Sequence, residues 1–154
     1  MNSDMQEIQR RFNIVRLLAF VMLVLTPVAF VIITYVVHLE RPPDEAVIFV
    51  FYAMLVIAIV APFAYKIVER AQLSTYRQLQ NKRMSPAQFA TTLVIIKCVF
   101  VEASFMYGLV MFFLTADRSY MWYFYAIGVI WAVVYWPTKG KFEELVGKAT
   151  TNYA

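Results

Sequence analysis

Residues 87–115 read AQFATTLVIIKCVFVEASFMYGLVMFFLT, an apolar run interrupted by one lysine, Lys97, and one glutamate, Glu102. A transmembrane helix needs about 20 mostly apolar residues, and this run is longer than that. The residues at its start, Ser85-Pro86-Ala87-Gln88, predict a helix N-terminus. Serine is a favoured N-cap, proline fits the first helical position, and glutamine at the third position can reach back to the cap.

Outward from this segment, three more apolar stretches have the composition of membrane helices. They run from about Val15 to Val37, from about Ala46 to Val68 and from about Tyr120 to Trp136. Two of them contain a proline, Pro27 or Pro62, which predicts a kink. The hydroxyl of Thr26 is placed to satisfy a carbonyl freed near the first of these kinks.

The composition excludes an ordinary water-soluble domain. Hydrophobic residues make up 62% of the 154 residues and charged residues 16%, whereas about a quarter of the residues in a soluble domain are charged. We therefore predict an all-α fold, an integral membrane four-helix bundle that occupies residues 1–154 as one membrane domain.

The basic residues predict the orientation of this bundle. Most of the 14 lysine and arginine residues lie in the N-terminal tail, in and just before a loop at 69–85, and in a tail at 137–154. The other two loops contain one each, Arg41 and Arg118. Because short loops rich in Lys and Arg stay cytoplasmic, we expect both termini inside, in a bacterial inner (plasma) membrane.

The C-terminal tail has a short amphipathic pattern. Phe142, Leu145 and Val146 share one helical face, which is typical of a helix lying on the inner leaflet. A disordered tail is the alternative, since Gly140 and Gly147 flank the pattern.

Lys97 and Glu102 are the two charged residues inside the third span. Five residues separate them, which is about 7.5 Å along a helix and about 140° around it, so they do not form an i, i+4 ion pair. Lys97 shares a stripe with Val101, Ser104 and Gly108. The pair Ser104 and Gly108 has the small-xxx-small spacing that lets another helix pack closely.

These two charges are the candidate ion-handling or partner-pairing residues. Lys97 can extend toward the inner interface. Glu102 lies near mid-span, where a charged side chain costs at least about 2.5–3.5 kcal/mol. Three interpretations stay open for Glu102: a protonated acid hydrogen-bonded to a neighbouring helix, a proton- or cation-exchanging carboxylate, and a charge that pairs with a partner.

The run VEASFMYGLVMFFL resembles the second helix of rotary ATP synthase c subunits, in which a carboxylate precedes a small residue and a Tyr-Gly-Leu or similar run. The resemblance covers residues 77–115 and begins in a polar loop containing Arg77-Gln78. It implies that Glu102 binds a translocated ion.

Other function classes have no support in the sequence. The single histidine, His38, lies at the outer end of span one, and the single cysteine, Cys98, is expected to be a buried apolar residue. No phosphate-binding loop, zinc motif or catalytic triad is present, so we predict no catalytic residue, cofactor or metal. The basic residues follow membrane topology, which gives no reason to expect nucleic acid.

The sequence therefore favours a small polytopic membrane protein, not an enzyme, that serves as a structural or accessory subunit of a membrane complex or homo-oligomer. Its expected partners are the lipid bilayer and other membrane subunits or further copies of itself. The alternative is a proton- or cation-handling protein that uses Glu102 near the bilayer midplane.

Overall fold

The computed structural model describes residues 2–39, 45–78 and 84–150. Its elements are helix α1 (Asn2–Phe20), a π-helical turn (Val21–Leu25) and helices α2 (Thr26–Val36), α3 (Glu45–Gln78), α4 (Pro86–Thr115), α5 (Arg118–Tyr135) and α6 (Lys139–Thr150). Every regular element in these ranges is helical, which confirms the predicted all-α class. Arg41 and residues 79–83 of the predicted loops lie outside the described residues.

Three segments of the described chain are long and apolar enough to cross a membrane: Met5–Val36, Ala46–Tyr76 and Pro86–Thr115. Their most apolar windows have mean hydropathies of 2.7, 2.7 and 2.0. Large apolar side chains cover their outer surface, and Phe49 is 79% exposed. An apolar surface of this extent belongs against lipid or protein, so the chain is a membrane protein. Helix α5 coincides with the predicted fourth span, but it has only 18 residues and is not among these three segments.

Helix α4 lies at the centre of the fold and contacts α1, the π-helical turn, α2, α3, α5 and α6. It is apolar over most of its circumference, which is typical of a helix surrounded by others. Val101, Phe105 and Phe112 are almost fully buried in its contacts. The most extensive of these contacts is with α5, which follows α4 after a short connection.

The start of α4 confirms the predicted capping box. The Gln88 backbone N–H donates to Ser85 Oγ at 3.2 Å, and the Ser85 backbone N–H donates to Gln88 Oε1 at 3.0 Å. The Ser85 hydroxyl also donates to Glu7 Oε1 at 2.9 Å. This cap therefore fixes the beginning of α4 against α1.

Helix contacts at both ends give the relative directions of the helices. Besides the Glu7–Ser85 bond at one end, Arg118 Nε donates to the Thr34 carbonyl at 3.1 Å at the other, so α1–α2 and α4 run in the same direction. Near the start of α3, Phe51 packs edge-on against Tyr120 of α5 with ring centroids 5.0 Å apart. Helices α3 and α5 therefore run side by side, opposite to α4.

Both prolines inside the apolar helices are held by tyrosines of α5. Tyr125 Oη donates to the Pro27 carbonyl at 3.1 Å, and Tyr135 Oη donates to the Pro62 carbonyl at 3.1 Å. The Thr26 hydroxyl donates to the Val21 carbonyl at 3.1 Å. This carbonyl also accepts the Thr26 backbone N–H, so the hydroxyl bonds to a nearby carbonyl as predicted, but not to one that the proline leaves free. The irregularity before Pro27 is the π-helical turn, whereas α3 continues as a helix through Pro62.

The C-terminal tail forms helix α6, and its apolar face packs on the protein. Phe142 is 1% exposed, and its ring centroid lies 6.0 Å from that of Phe12 in α1. Leu145 and Ala149 are buried beside it. The expectation that this face rests on the inner leaflet is therefore wrong. The helices α1 and α4 extend past the apolar core and provide a protein surface for it.

Candidate functional site on helix α4

The polar residues of α4 lie on two faces. We call the stripe of Lys97, Val101, Ser104 and Gly108 the closed face, because Val101 and Ser104 are at most 1% exposed and Gly108 is buried. We call the stripe of Val99, Glu102, Met106 and Val110 the open face, because Val99, Met106 and Val110 are 51%, 43% and 36% exposed. Lys97 and Glu102 make no ion pair with each other in the described structure, as the sequence predicts.

Glu102 lies at the edge of the open face and is only partly buried. The described residues provide no hydrogen bond and no ion pair to its carboxyl group. Its helix neighbours on this face are apolar, and the α4 backbone around it is already hydrogen-bonded within the helix. A carboxyl group in an apolar surface without a partner is costly, so this is the least satisfied polar group on the open face.

The π-helical turn lies level with Glu102. It falls midway between the Glu7–Ser85 and Arg118–Thr34 contacts on the neighbouring helix, as Glu102 does on α4, and it contacts α4 directly. Such turns often occur at functional sites in α-helices. Here the physical cause is local, because Pro27 cannot donate a backbone hydrogen bond.

Gly108 faces α5 and not a second molecule, and Ser104, one turn earlier on the same stripe, is buried. A Cβ atom added at Gly108 would lie 3.1 Å from the Met121 carbonyl oxygen and 3.1 Å from the Tyr125 ring. The close approach predicted from the small-xxx-small spacing therefore takes place within the chain, and this face is not available to another subunit. Ser104 Oγ is buried there without a hydrogen-bond partner among the described residues.

Lys97 extends along the closed face toward the end of the bundle where α6 lies. Its Nζ atom is 4.6 Å from the ring centroid of Tyr135 and 5.6 Å from that of Tyr65. A cation over aromatic rings is stabilised by their quadrupoles. Lys97 also lines a cavity with residues of α3, α5 and α6, in the direction expected for a lysine that extends out of the membrane interior.

Sequence reasoning missed three residues of this region. It assigned no role at this site to Tyr135, Tyr65 or Gly128. In the structure a Cβ at Gly128 would lie 2.6 Å from the Phe105 ring, so Gly128 lets α5 approach α4. A glycine inside a helical pattern was the available signal.

The remaining candidates are structural. Cys98 is 3% exposed and buried as predicted, and exposed His38 lies near the Val36 carbonyl, with its Nδ1 3.2 Å from that oxygen. In the described part of the chain no three His, Cys, Asp or Glu side chains are placed to hold a metal ion.

No family model, curated protein or solved structure matches this chain. The resemblance of residues 77–115 to c subunits therefore stays a prediction. Residues 79–83 of that range lie outside the described residues.

Proposed function

We propose that the chain is an accessory subunit of a plasma-membrane complex and that it docks a neighbouring membrane helix on the open face of α4. The observation that carries this proposal is the carboxyl group of Glu102, which has no partner among the described residues and lies among exposed apolar side chains. Within the bilayer such a group gains most from a hydrogen-bond donor or a cation on a neighbouring helix. The partner is a membrane helix with such a group at mid-depth.

The proposal includes four membrane crossings with both termini in the cytoplasm. The distribution of Lys and Arg supports this orientation, and the alignment of α5 with α3 supports a fourth crossing by α5. Reporter fusions after Ala154 and between Arg41 and Glu45 test it. A cytoplasmic signal at the first site and an external signal at the second are expected, and the reverse would contradict it.

Ion handling by Glu102 is the second candidate. It is favoured by the π-helical turn at the same depth, since turns of this kind often occur at functional sites. In this case the open face would line an ion path shared with another subunit. The two candidates differ in whether Glu102 must change its protonation or ligand state.

A photo-crosslinking side chain introduced at Met106, one turn from Glu102, tests the docking proposal in native membranes. We expect a discrete cross-linked product that falls about tenfold with Glu102→Leu and persists with Glu102→Gln, which keeps the hydrogen-bonding capacity. The matched control places the same side chain at Val133, which is 72% exposed on α5, and its products should not depend on residue 102.

A cross-link at Met106 that is insensitive to both substitutions at residue 102 would contradict docking through Glu102. A Glu102→Gln variant that keeps the cross-link but abolishes proton or cation flux in vesicles would show that Glu102 must change its protonation or ligand state, which favours the ion-handling candidate over docking alone.

A further inference from the structure

A cavity of about 200 Å³ lies among α3, α4, α5 and α6, away from the open face. Its charged lining consists of four lysines and two glutamates: Lys66, Lys97, Lys141, Lys148, Glu69 and Glu144. The cavity therefore has a net positive charge. It lies beside α6, at the end of the bundle where the basic segments are concentrated.

Two hydrogen-bond donors of this cavity have no acceptor among the described residues. Lys97 Nζ rests over the Tyr135 and Tyr65 rings and makes no hydrogen bond or ion pair with any described residue. Tyr65 is 2% exposed, and no acceptor among the described residues meets hydrogen-bond geometry with its Oη, although Glu69 lies close by. Buried donors without acceptors are rare in folded proteins, because each is costly. Tyr65 Oη is therefore a buried donor for which the described residues supply no acceptor at hydrogen-bond geometry, and the partly buried ammonium of Lys97 lies over the same ring.

Three of the other charged groups already have partners within the chain. Lys148 Nζ lies 2.7 Å from Glu144 Oε1 within α6. Lys141 Nζ donates to the Val134 carbonyl at 3.1 Å, which ties α6 to the end of α5. Of the two glutamates, Glu144 is paired within α6, so Glu69 is the carboxylate of the lining that an incoming group meets beside the ammonium and phenol donors.

We propose that this cavity binds the phosphate group of an anionic ligand. A phosphate has several acceptor oxygens and negative charge, which match the unpaired ammonium of Lys97 and the phenol of Tyr65. The volume exceeds the roughly 30 Å³ that one water occupies in the liquid, so a phosphate group fits. Basic pockets between membrane helices on the cytoplasmic side bind lipid headgroups, and free phosphate offers the same chemistry. This site shares no residue with the open face and does not depend on docking at Glu102.

The test compares lipid retention by the purified full chain in detergent. The chain is mixed with equal amounts of phosphatidylglycerol and phosphatidylcholine, and bound lipid is counted by native mass spectrometry. A second arm titrates inorganic phosphate into lipid-free protein and follows the ³¹P resonance. Lys97→Met removes the charge and keeps the length of the side chain, and Tyr65→Phe removes only the hydroxyl. Lys139→Met is the matched control, because Lys139 is an exposed lysine of α6 that does not line this cavity.

We expect one phosphatidylglycerol bound in preference to phosphatidylcholine. Its apparent affinity should fall about tenfold in Lys97→Met, by a smaller factor in Tyr65→Phe, and not at all in Lys139→Met. If only inorganic phosphate binds, with the same dependence on Lys97, the result supports the proposed site and shows that its ligand is a soluble phosphate. Equal loss in Lys97→Met and Lys139→Met, or no bound phosphate in either arm, would overturn the proposal.

Discussion

The closed and open faces of α4 surround a charged residue with opposite environments, although Lys97 and Glu102 are five residues apart on one helix. On the closed face, Lys97 lies over two tyrosine rings and lines a polar cavity. The open face leaves Glu102 among apolar side chains with no partner in the described structure. The position around the helix decides whether a charge is enclosed by aromatic rings of this chain or lies in its apolar outer surface.

The close packing of the closed face can be broken at Gly128. The Gly128→Ala substitution places a Cβ 2.6 Å from the buried Phe105 ring, and overpacking of this kind costs typically about 1–3 kcal/mol. We expect a loss of about 2 kcal/mol in the free energy of unfolding, measured by thermal or denaturant unfolding in detergent.

Gly140→Ala in α6 is the control for this substitution. No atom lies within 4 Å of a Cβ built there, so alanine should leave stability unchanged or raise it slightly through its better helix propensity. If both glycine variants lost stability equally, a general effect of glycine replacement would explain the result better than contact with Phe105.

On the open face, removal of a polar group should raise the free energy of unfolding instead of lowering it. Glu102→Leu deletes a carboxyl group that has no partner, so we expect the isolated chain to gain about 1 kcal/mol in detergent. Glu102→Gln keeps a polar group in the same place and should leave stability within about 0.5 kcal/mol of the original. Unfolding of the purified variants is the measurement. A destabilised Glu102→Leu variant would mean that the carboxyl group has a partner within the chain.

The sequence contains enough local information to predict some of this site. The capping box at Ser85 depends on residues within one turn, and the separation of Lys97 from Glu102 follows from helix periodicity alone. The Thr26 hydrogen bond is local in the same way. Each of these features needs only the residues next to it, which is why pattern reasoning reaches them.

Features that depend on distant helices were not predictable in this way. The small-xxx-small spacing at Ser104 and Gly108 indicates a close helix but does not say whether it belongs to the same chain, and here it is α5. The rings over Lys97 come from α3 and α5, more than 30 positions away in each direction. The amphipathic pattern of α6 predicts a buried face and leaves open whether lipid or protein covers it.

Removal of a hydrogen bond between a tyrosine and a proline carbonyl should change stability by an intermediate amount. Tyr125→Phe removes the bond to Pro27 beside the closed face, and we expect a loss of about 0.5–1.5 kcal/mol. Tyr123→Phe is the matched control, because Tyr123 is 60% exposed on the same helix, and its hydroxyl makes no hydrogen bond in the described structure. Unfolding of the two variants under one condition compares them directly, and equal stabilities would contradict a structural role for the Pro27 bond.

The smallest expected effect is a pH dependence of stability that comes from the Glu144–Lys148 pair in the cavity lining. The hydrogen bond and charge of Lys148 lower the pKa of the Glu144 carboxyl from its ordinary value. Because the folded pKa lies below the unfolded one, this pair stabilises the fold above the unfolded pKa, and the contribution is lost as the pH falls through the folded pKa. Glu144 is fully exposed, so solvent and salt screen the interaction and the effect is small.

Glu144→Gln should therefore show a slightly flatter acid limb of stability than the original chain between about pH 6 and pH 3, with the difference shrinking in high salt. Glu143→Gln is the control, since the Lys139–Glu143 pair is longer, at 3.8 Å against 2.7 Å for Lys148–Glu144. Protonation of Glu144 also removes a negative charge from the cavity lining. Phosphate binding by the cavity should for that reason tighten as the pH falls, while stability falls. A parallel decrease of both quantities would show that Glu144 supports the cavity only through the fold.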